Sequence, residues 1–278
     1  MGMAGDDVAA GMLRIATTEV VGAVREITVE RGHSPADFAI LSFGGAGGII
    51  ATDTARELGV PRVIVPPGPG AFSAMGMLMA DVAHDFARTR ITDLAAVDAE
   101  GLEADYAEHE SLAASALEAD GFAEADRALT RAADIRNQGQ EHTLAITQHA
   151  GVNDHALAAD NREAFGAAHE TQYGHRTEDP VEIVTIRVRG AGLVPRPRLP
   201  RIEAGDGGVP ARTSRGVWRG ELGRVDYAVY ERDALTPGVR VDGPAVIEER
   251  TATTVIHAGD LLSVGEHGEL DITIGERA

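Results

Sequence analysis

The sequence of 278 residues predicts an α/β unit, followed by an α+β segment and a small all-β module. Three patterns along the chain lead to this fold class. Apolar runs alternate with helical repeats over residues 1–92, which is typical of parallel strands joined by crossover helices. Apolar and polar residues alternate over residues 182–189, as in a strand with one buried face. Short apolar runs separated by Pro and Gly fill residues 211–278, as in a sandwich or barrel.

The α/β unit is expected to begin with an amphipathic helix over residues 8–31. Asp6 or Asp7 is expected to cap this helix, and Gly32 to end it. Its apolar residues recur near helical spacing at Val8, Met12, Ile15, Val20, Val24 and Ile27. The elements that follow are a strand at 38–42, a helix at 49–58, a strand at 62–65, a helix at 71–82 and a strand at 84–90.

Three segments are expected between this unit and the all-β module. Residues 93–126 form an acidic helical segment, whose carboxylates predict a solvated face rather than a metal site. Residues 127–192 form the α+β segment, and residues 193–210 a linker rich in Pro and Gly. The α+β segment should contain a hairpin turning at 137–139, a helix at 160–173 and a strand with Val184, Ile186 and Val188 on one face. The module should contain strands at 215–219, 224–231, 244–248, 252–256, 260–264 and 269–274.

The composition excludes several classes of chemistry. The chain has no cysteine, which excludes disulfides, thiolate zinc sites and a cysteine nucleophile. It also has no lysine, which excludes a Schiff-base lysine and a Walker-type phosphate loop. A formal net charge of −19 argues against binding to nucleic acid or to an anionic membrane, because both need a basic patch.

The acid excess has two explanations. Salt screens the repulsion between like charges, so the composition fits the cytosol of a halophile. A genome of high GC content, which favours Arg, Ala, Gly and Asp codons, explains it as well. No apolar run reaches the ~20 residues that cross a bilayer, and residues 1–7 lack a secretory signal, so the expected location is cytoplasmic.

A glycine-rich turn stands between the predicted strand at 38–42 and the helix that follows. Its residues are Gly44, Gly45, Ala46, Gly47 and Gly48. Glycine lets the backbone approach a flat or charged ligand with no Cβ in the way. A strand, a glycine turn and a helix often hold a nucleotide, but a tight turn without a ligand has the same pattern.

Other polar residues favour structural roles. His169 is expected to pack within its helix. His84 and Asp85 are adjacent on a strand and should therefore point to opposite faces without pairing. Arg187 and Arg189 form either an exposed polar face or a clamp for an anion. The sequence indicates no metal site and no serine nucleophile.

Four sequence blocks resemble the hydantoinase A/5-oxoprolinase family. They are Phe43-Gly44-Gly45-Ala46-Gly47, the run from Glu57 to Pro66, Pro69-Gly70-Ala71-Phe72-Ser73-Ala74-Met75-Gly76, and the run from Ala80 to Phe86. Further matching blocks include Asp134-Ile135-Arg136 with Gly139-Gln140, and Gly243-Pro244-Ala245-Val246-Ile247-Glu248. The resemblance covers nearly the whole chain, but it matches only the C-terminal part of the family's long subunit. After the glycine turn the family usually has Pro-Leu-His-Ala, where this chain has Gly48-Ile49-Ile50-Ala51.

The resemblance implies that residues 1–92 are the C-terminal half of an actin-like, sugar-kinase-like ATPase domain. It also implies that residues 44–48 lie on the adenosine side of bound ATP. Loops of the Asp-x-Gly-Gly-Thr type, which hold the phosphates and Mg²⁺ in the family, are missing, and Asp206-Gly207-Gly208 is the nearest string. Arg136 and Gln140 line the family's active cleft by this resemblance, or else form the polar rim of a hairpin.

The implied activity is ATP-dependent opening of a cyclic amide such as 5-oxoproline or a hydantoin. No catalytic residue is nominated, because the phosphate-side half is absent. The implied partners are an N-terminal hydantoinase A half and a hydantoinase B-type subunit, in a hetero-oligomer acting on a small molecule. The alternatives are a subunit of an ATP-dependent ketone carboxylase, of the acetone or acetophenone type, and a scaffold subunit without turnover.

Overall fold

The computed structural model describes residues 4–150, 154–205, 208–209 and 211–276. Asp206 and Gly207, from the string nearest to a phosphate loop, and Pro210 of the linker lie outside these ranges. The chain divides into two compact units. Unit 1 joins Met1–Leu78 to Pro197–Ala278, and unit 2 is Met79–Arg196.

Unit 1 contains two sheets. The first has five strands in the order β1 (Ile40–Leu41), β2 (Arg62–Val65), β13 (Leu270–Thr273), β12 (Leu261–Val264) and β9 (Arg240–Asp242). The second has four, in the order β11 (Thr253–Ile256), β10 (Ala245–Glu248), β8 (Arg224–Glu231) and β7 (Thr213–Trp218). Its helices are α1 (Gly5–Ile27), α2 (Gly47–Leu58) and α3 (Phe72–Met79), the last of which reaches into unit 2.

The parallel pair expected at the start of the chain is present, because β1 and β2 run parallel with α2 as their crossover. The remaining partners of β2 come from the C-terminal module, since β13 pairs with it antiparallel, from Leu270 against Val65 to Thr273 against Arg62. One core joins both parts of the sequence, with Ala55, Val63 and Val65 packed among residues such as Ile247, Leu262 and Ile272. Residues 211–278 are therefore not a separate compact body, which differs from the division expected from sequence.

Unit 2 is an antiparallel sheet in the order β3 (Val82–Asp93), β6 (Val181–Gly192), β4 (Arg127–Asn137) and β5 (Leu144–Gln148). The helices α4 (Ala99–Ala119) and α5 (Asp154–Tyr173) contribute to its core. Leu102, Tyr106 and Phe165 from the helices are buried with Ile183 and Ile186 from β6. The acidic helical segment and the strand at 84–90 thus belong to the same compact unit as the α+β segment.

A bulge in β6 changes the buried face expected for this strand. Asp134 of β4 lies opposite Thr185, and Ile135 lies opposite Ile183, so Val184 is an extra residue. Ile183, Ile186 and Val188 are consequently buried, whereas Val184 is only half-buried. The period-two prediction was wrong for Val184, because periodicity in one strand does not reveal a register shift against its partner.

Helix α1 presents most of its apolar residues to solvent. Thr17 and Val21 are its buried residues. Met12, Ile15 and Ile27, expected on a buried face, are 66%, 65% and 58% exposed. Asp6 and Asp7 lie within the first turn rather than at the cap, which is Ala4. They instead accept hydrogen bonds from Arg224 and Trp218, respectively.

The described helices include none that combines the length and the apolar character needed to span a bilayer. The linker at 193–210 has no helix or strand in its described residues, as predicted, and Gly32 ends the first helical segment with a left-handed backbone. Two strands of the module, β7 and β8, form an antiparallel pair that packs Val217 and Val225 against Tyr227 and Val229.

Candidate functional site

The glycine turn lies between β1 and α2 in unit 1. Ser42, which is buried, donates its backbone N–H to Ile64 O at 2.8 Å and so holds the end of β1 against β2. Gly44 then adopts a φ of 85° and donates its N–H to Pro69 O at 2.8 Å. Residues with a Cβ rarely adopt this conformation, so Gly44 is required by its backbone geometry.

A hairpin from the far end of the sequence packs behind the turn. A Cβ on Gly45 would lie 3.0 Å from Thr251 O, and one on Gly48 would lie 2.6 Å from Thr253 O. A Cβ on Gly70, in the loop after β2, would clash with Thr251 Oγ1. Glycine at these positions is therefore explained by packing against the β10–β11 hairpin, whatever the turn binds.

The five residues of the turn differ in what they offer to a ligand. Gly48 is buried under β11, whereas Gly45 and Ala46 are exposed. Helix α2 begins at Gly47, and Ala46 at its N-cap supplies no side-chain hydrogen bond. The first turn of a helix carries N–H groups without intrahelical partners and attracts negative charge. Gly44 to Gly47 therefore expose backbone that suits an anionic or planar ligand, while Gly48 sets the packing.

Charged groups attach α2 to the same C-terminal strands. Arg56 donates to Asp260 Oδ1 at 2.5 Å, and Asp260 Oδ2 accepts the backbone N–H of His257 at 2.8 Å. His257 Nε2 lies 3.1 Å from Asp53 Oδ2, but the angles at this contact do not fit a hydrogen bond. Its Nδ1 is 2.9 Å from the hydroxyl of Tyr227. This cluster fixes the helix that follows the glycine turn.

The electrostatics of that cluster favour a charged Asp53. Burial raises the pKa of Asp53, but His257 and Arg219 act in the opposite direction and bring it down to about 2. Burial also raises the pKa of Tyr227 above its usual value. The carboxylate of Asp53 thus stays ionised and holds its partners over the whole physiological range.

An acidic cavity of about 450 Å³ lies beside the same hairpin. Its lining residues are Glu231, Asp233, Glu248, Glu249, Arg250 and Thr253. Burial raises the pKa of Glu249, although Arg232 lowers it in part. No group of three or more His, Cys, Asp or Glu residues in the described ranges is arranged to hold a metal ion.

Two phenylalanine rings flank the glycine turn. Phe43 precedes Gly44, and Phe72 is the first residue of α3. The ring centroids are 5.4 Å apart, with an angle of 50° between the ring planes. Phe43 remains 46% exposed. The turn therefore combines open glycine backbone with an exposed aromatic surface.

Arg136 and Gln140 lie in unit 2, at the end of β4 and in the turn that follows. Arg136 donates to Glu182 Oε1 at 2.7 Å, so its charge is neutralised by a neighbouring strand. Gln140 is exposed and lies 3.5 Å from Asn137. Asn137 is fully buried and accepts a hydrogen bond from Thr177 at 3.0 Å. The predicted hairpin is present, and Asn137 is the residue that attaches it to the chain after α5.

The histidine predictions agree with the contacts. His84 lies 2.6 Å from Asp120, while Asp85 pairs with Arg189 at 3.7 Å, so these neighbours do not pair with each other. His169 is buried, stacks beside Phe165 and donates from Nδ1 to His175 O at 2.8 Å.

The acidic residues of α4 pair with arginines of the sheet. Arg131 binds Glu103 and Glu110 at 2.7 Å each, and Arg88 binds Asp105 at 2.9 Å. Within the sheet, Arg187 of β6 pairs with Asp134 of β4 at 2.6 Å. Several carboxylates of the acidic segment therefore pair with arginines of the sheet while remaining partly exposed, as Glu103 is at 45%.

Sequence reasoning missed the residues that hold the turn from behind. Thr251, His257 and Asp260 follow the turn by about 200 residues, and no local pattern connects them to it. Asp53 and Arg56 occupy the polar side of a short helix, where exposed charges are ordinary.

Comparisons with known proteins identify the family of the chain. The hydantoinase/oxoprolinase profile matches residues 1–86, and the profile of the hydantoinase/oxoprolinase C-terminal domain matches residues 91–272. An uncharacterized protein of Methanocaldococcus jannaschii is 34% identical over 268 residues, which are 96% of this chain and 38% of that protein. The caprolactamase alpha subunit of Pseudomonas jessenii is 26% identical over 283 residues, covering 99% of this chain and 40% of that subunit. The 5-oxoprolinase of Saccharomyces cerevisiae is 26% identical over 268 residues, covering 90% of this chain and 20% of that enzyme.

Two solved structures share the fold. The ATP-dependent caprolactamase of Pseudomonas jessenii superposes with a TM-score of 0.84 at 25% identity, covering 99% of this chain and 41% of that one. Nucleotide-free acetone carboxylase superposes with a TM-score of 0.71 at 24% identity, covering 98% and 40%. The chain spans about two fifths of the first two relatives and of both structures. Because the two family profiles together match residues 1–86 and 91–272, the chain belongs to the hydantoinase/oxoprolinase family.

Proposed function

We propose that this chain is the C-terminal part of a subunit that hydrolyses a cyclic amide at the expense of ATP. The substrate class is 5-oxoproline or a hydantoin. The observation that carries the proposal is the likeness to an ATP-dependent caprolactamase over 99% of the chain, with a TM-score of 0.84. The relatives named 5-oxoprolinase support the same class, because 5-oxoproline and caprolactam both contain a cyclic amide.

The chain contributes the adenosine side of the ATP site in this proposal. Gly44 to Gly47 offer open backbone and an uncapped helix start, and Gly48 keeps that helix in place. Unit 1 serves as the C-terminal half of an actin-like ATPase domain. Phosphorylation of the amide oxygen makes the amide carbon a better target for water. Mg²⁺ and the phosphates are held mainly by the missing N-terminal half, so this chain should not turn over ATP alone.

Arg136 and Gln140 are proposed to face the substrate. The buried Asn137 anchors their hairpin and so fixes the backbone from which both side chains extend. Glu182 compensates the charge of Arg136. The pair therefore offers hydrogen-bonding groups to the polar atoms of a cyclic amide, while the charge of Arg136 is already balanced within the fold.

The partners in this proposal are an N-terminal hydantoinase A half and a hydantoinase B-type subunit, assembled in the cytoplasm. Relatives named as alpha and beta subunits support an assembly of several chains. Exposed apolar side chains on α1 and α3 support a covering partner, since Met77 and Leu78 are each 79% exposed.

A ketone carboxylase is the second candidate. The acetone carboxylase beta subunit of Xanthobacter autotrophicus is similar to this chain, and a solved acetone carboxylase shares its fold. In that case the phosphorylated species is an enolate or carboxy-phosphate instead of an amide. Relatives that include both a caprolactamase and 5-oxoprolinases support amide hydrolysis as the first candidate.

Reconstitution tests the proposal. The chain is purified from its host at high salt together with its bound partners, and phosphate release from ATP is measured with each substrate. Stimulation by 5-oxoproline or a hydantoin is the expected result. Stimulation only by bicarbonate with acetone would transfer the chain to the carboxylases. A stable complex with no ATP hydrolysis on any of these substrates would indicate a scaffold subunit.

A further inference from the structure

Two aromatic rings contact each other beside the glycine turn, with Phe43 exposed and Phe72 half-buried. Phe43 lies in the loop after β1, and Phe72 begins α3 at the end of the loop after β2. Their rings contact each other at a centroid distance of 5.4 Å. A ring that is held by a neighbouring ring loses little freedom on binding a ligand, so this pair is a preorganised aromatic surface.

Backbone contacts brace the two loops. The N–H of Gly44, next to Phe43, donates to Pro69 O at 2.8 Å. Gly45 and Gly70 both close on Thr251, which therefore touches the two loops at once. A Cβ on either glycine would crowd Thr251, so both loops pack closely against the hairpin.

A buried arginine supports the second loop from below. Arg232 is 8% exposed and donates from one terminal nitrogen to Gly268 O at 2.6 Å. The same nitrogen lies 3.4 Å from Val65 O and 3.5 Å from Pro66 O, where β2 leads into the loop. Arg232 thus holds the backbone at the start of the loop that leads to Phe72.

We propose that Phe43 and Phe72 form the contact surface for the nucleobase. This inference rests on the proposed function, and it adds two side chains to a site so far built from glycine backbone. A nucleobase presents a flat π-face, and stacking on an aromatic ring is favourable for every base. The glycines next to the rings have no side chain that would keep a flat ligand away from the backbone.

The geometry favours a base over a covering protein segment at this point. A polypeptide partner covers a larger apolar surface than two rings, and Met77 and Leu78, each 79% exposed, present apolar side chains farther along α3. The ring pair instead lies at the exposed glycine backbone of Gly45 and at the start of α2. This combination of ring and open turn suits a small planar molecule with an anionic tail.

The test uses 2-aminopurine riboside triphosphate, whose fluorescence is quenched when its base stacks. The chain is titrated together with the partners that co-purify with it, as wild type, Phe43→Leu and Phe72→Leu. Phe38→Leu is the matched control, because Phe38 is 49% exposed and contacts His33 before β1 instead of the turn. Leucine keeps the apolar character and removes the π-face.

We expect each turn variant to weaken binding roughly fivefold to a hundredfold, as the loss of one stacked base contact does, and to abolish the quenching. Phe38→Leu should bind as wild type does. Thermal melting of all variants verifies that they fold, and two separate variants guard against a local defect in one of them.

The outcomes separate this inference from the proposed function. Normal binding and quenching in both turn variants would overturn the aromatic contact while leaving ATP use intact. Failure of wild type to bind either the probe or ATP would overturn both. If the variants bind the probe normally but lose association with a partner chain, the rings are part of a protein interface and the inference is wrong.

Discussion

Two glycines with left-handed backbone allow a residue-scale test of the turn. Gly44 has a φ of 85° and Gly32 a φ of 79°, and a Cβ at either would meet nothing within 4 Å. Alanine at either position should cost about 1–2 kcal/mol in stability, because only the backbone is strained. We expect Gly44→Ala alone to weaken ATP binding, measured by titration calorimetry. Equal binding losses in both variants would show that general instability explains the effect.

Asp53 gives a pH dependence whose sign follows from its depressed pKa of about 2, against an ordinary value of 3.8. A carboxylate with a lowered folded-state pKa stabilises the fold above its unfolded pKa, and this contribution is lost as the pH falls through the folded value. Asp53→Asn should therefore be less stable than wild type at pH 5, with the difference shrinking toward pH 2. Urea unfolding at several pH values measures the difference. A gap that does not change with pH would rule out the ion pairs as its cause.

At the scale of elements, the packing of α2 on β11 is tested by two neighbouring glycines. A Cβ on Gly48 would lie 2.6 Å from the backbone of Thr253, whereas one on Gly47 would lie 3.1 Å from the Ser42 side chain. Gly48→Ala should cost about 1–3 kcal/mol through overpacking, because a strand backbone cannot turn aside. Gly47→Ala should be nearly neutral, since alanine also favours the helix. Denaturant unfolding compares them, and similar losses would mean that β11 does not constrain the helix.

Elements with strong local signals were predicted well from sequence. The bounds of β2 and β8 match those expected at 62–65 and 224–231, because apolar runs there end at glycine, proline or polar residues. The short β9 was missed, since three residues between glycine turns carry no periodicity. The buried face of α1 was predicted wrongly, because periodicity identifies an apolar face without showing whether the chain itself covers it.

For the candidate site, sequence predicted the glycine turn and the hairpin at 137–139 but not what surrounds them. Glycine 44 is explained locally by its backbone, as the turn pattern indicated. Glycine 48 is explained by Thr253, which local sequence cannot connect to it. The roles of residues 44–48, Arg136 and Gln140 in binding remain predictions.

At the scale of the whole molecule, the net charge of −19 leads to a salt prediction. Repulsion between carboxylates destabilises the compact state, and salt screens it. The melting temperature should therefore rise by several degrees between dilute buffer and molar KCl. Sucrose at equal osmolality is the control, because it favours compact states without screening charge. Equal melting temperatures at low and high salt would contradict the halophile explanation and leave genome composition.

The assignment of chain segments to the two compact units could not be predicted from sequence. Strand patterns show where strands lie, but many registers satisfy the same alternation of apolar and polar residues. The pairing of β2 with β13 decides that residues 211–278 complete unit 1. The composition does not reveal that residues 211–278 belong to unit 1. The Pro/Gly-rich linker at 193–210 looks like a boundary between independent domains.

The pairing of β2 with β13 also affects how unit 1 folds during synthesis. Arg62 and Asp271, paired across these strands, are 209 residues apart, so a ribosome releases one long before the other. Unit 2 is continuous and has all its strands once residue 196 has emerged. Until β13 has been synthesised, one edge of β2 has no pairing partner in unit 1. Its free backbone N–H and C=O groups can then pair with strands of other chains. Slow synthesis of residues 197–276 would therefore prolong a stage that is prone to aggregation, and a chaperone that shields strand edges would act on the chain at that stage.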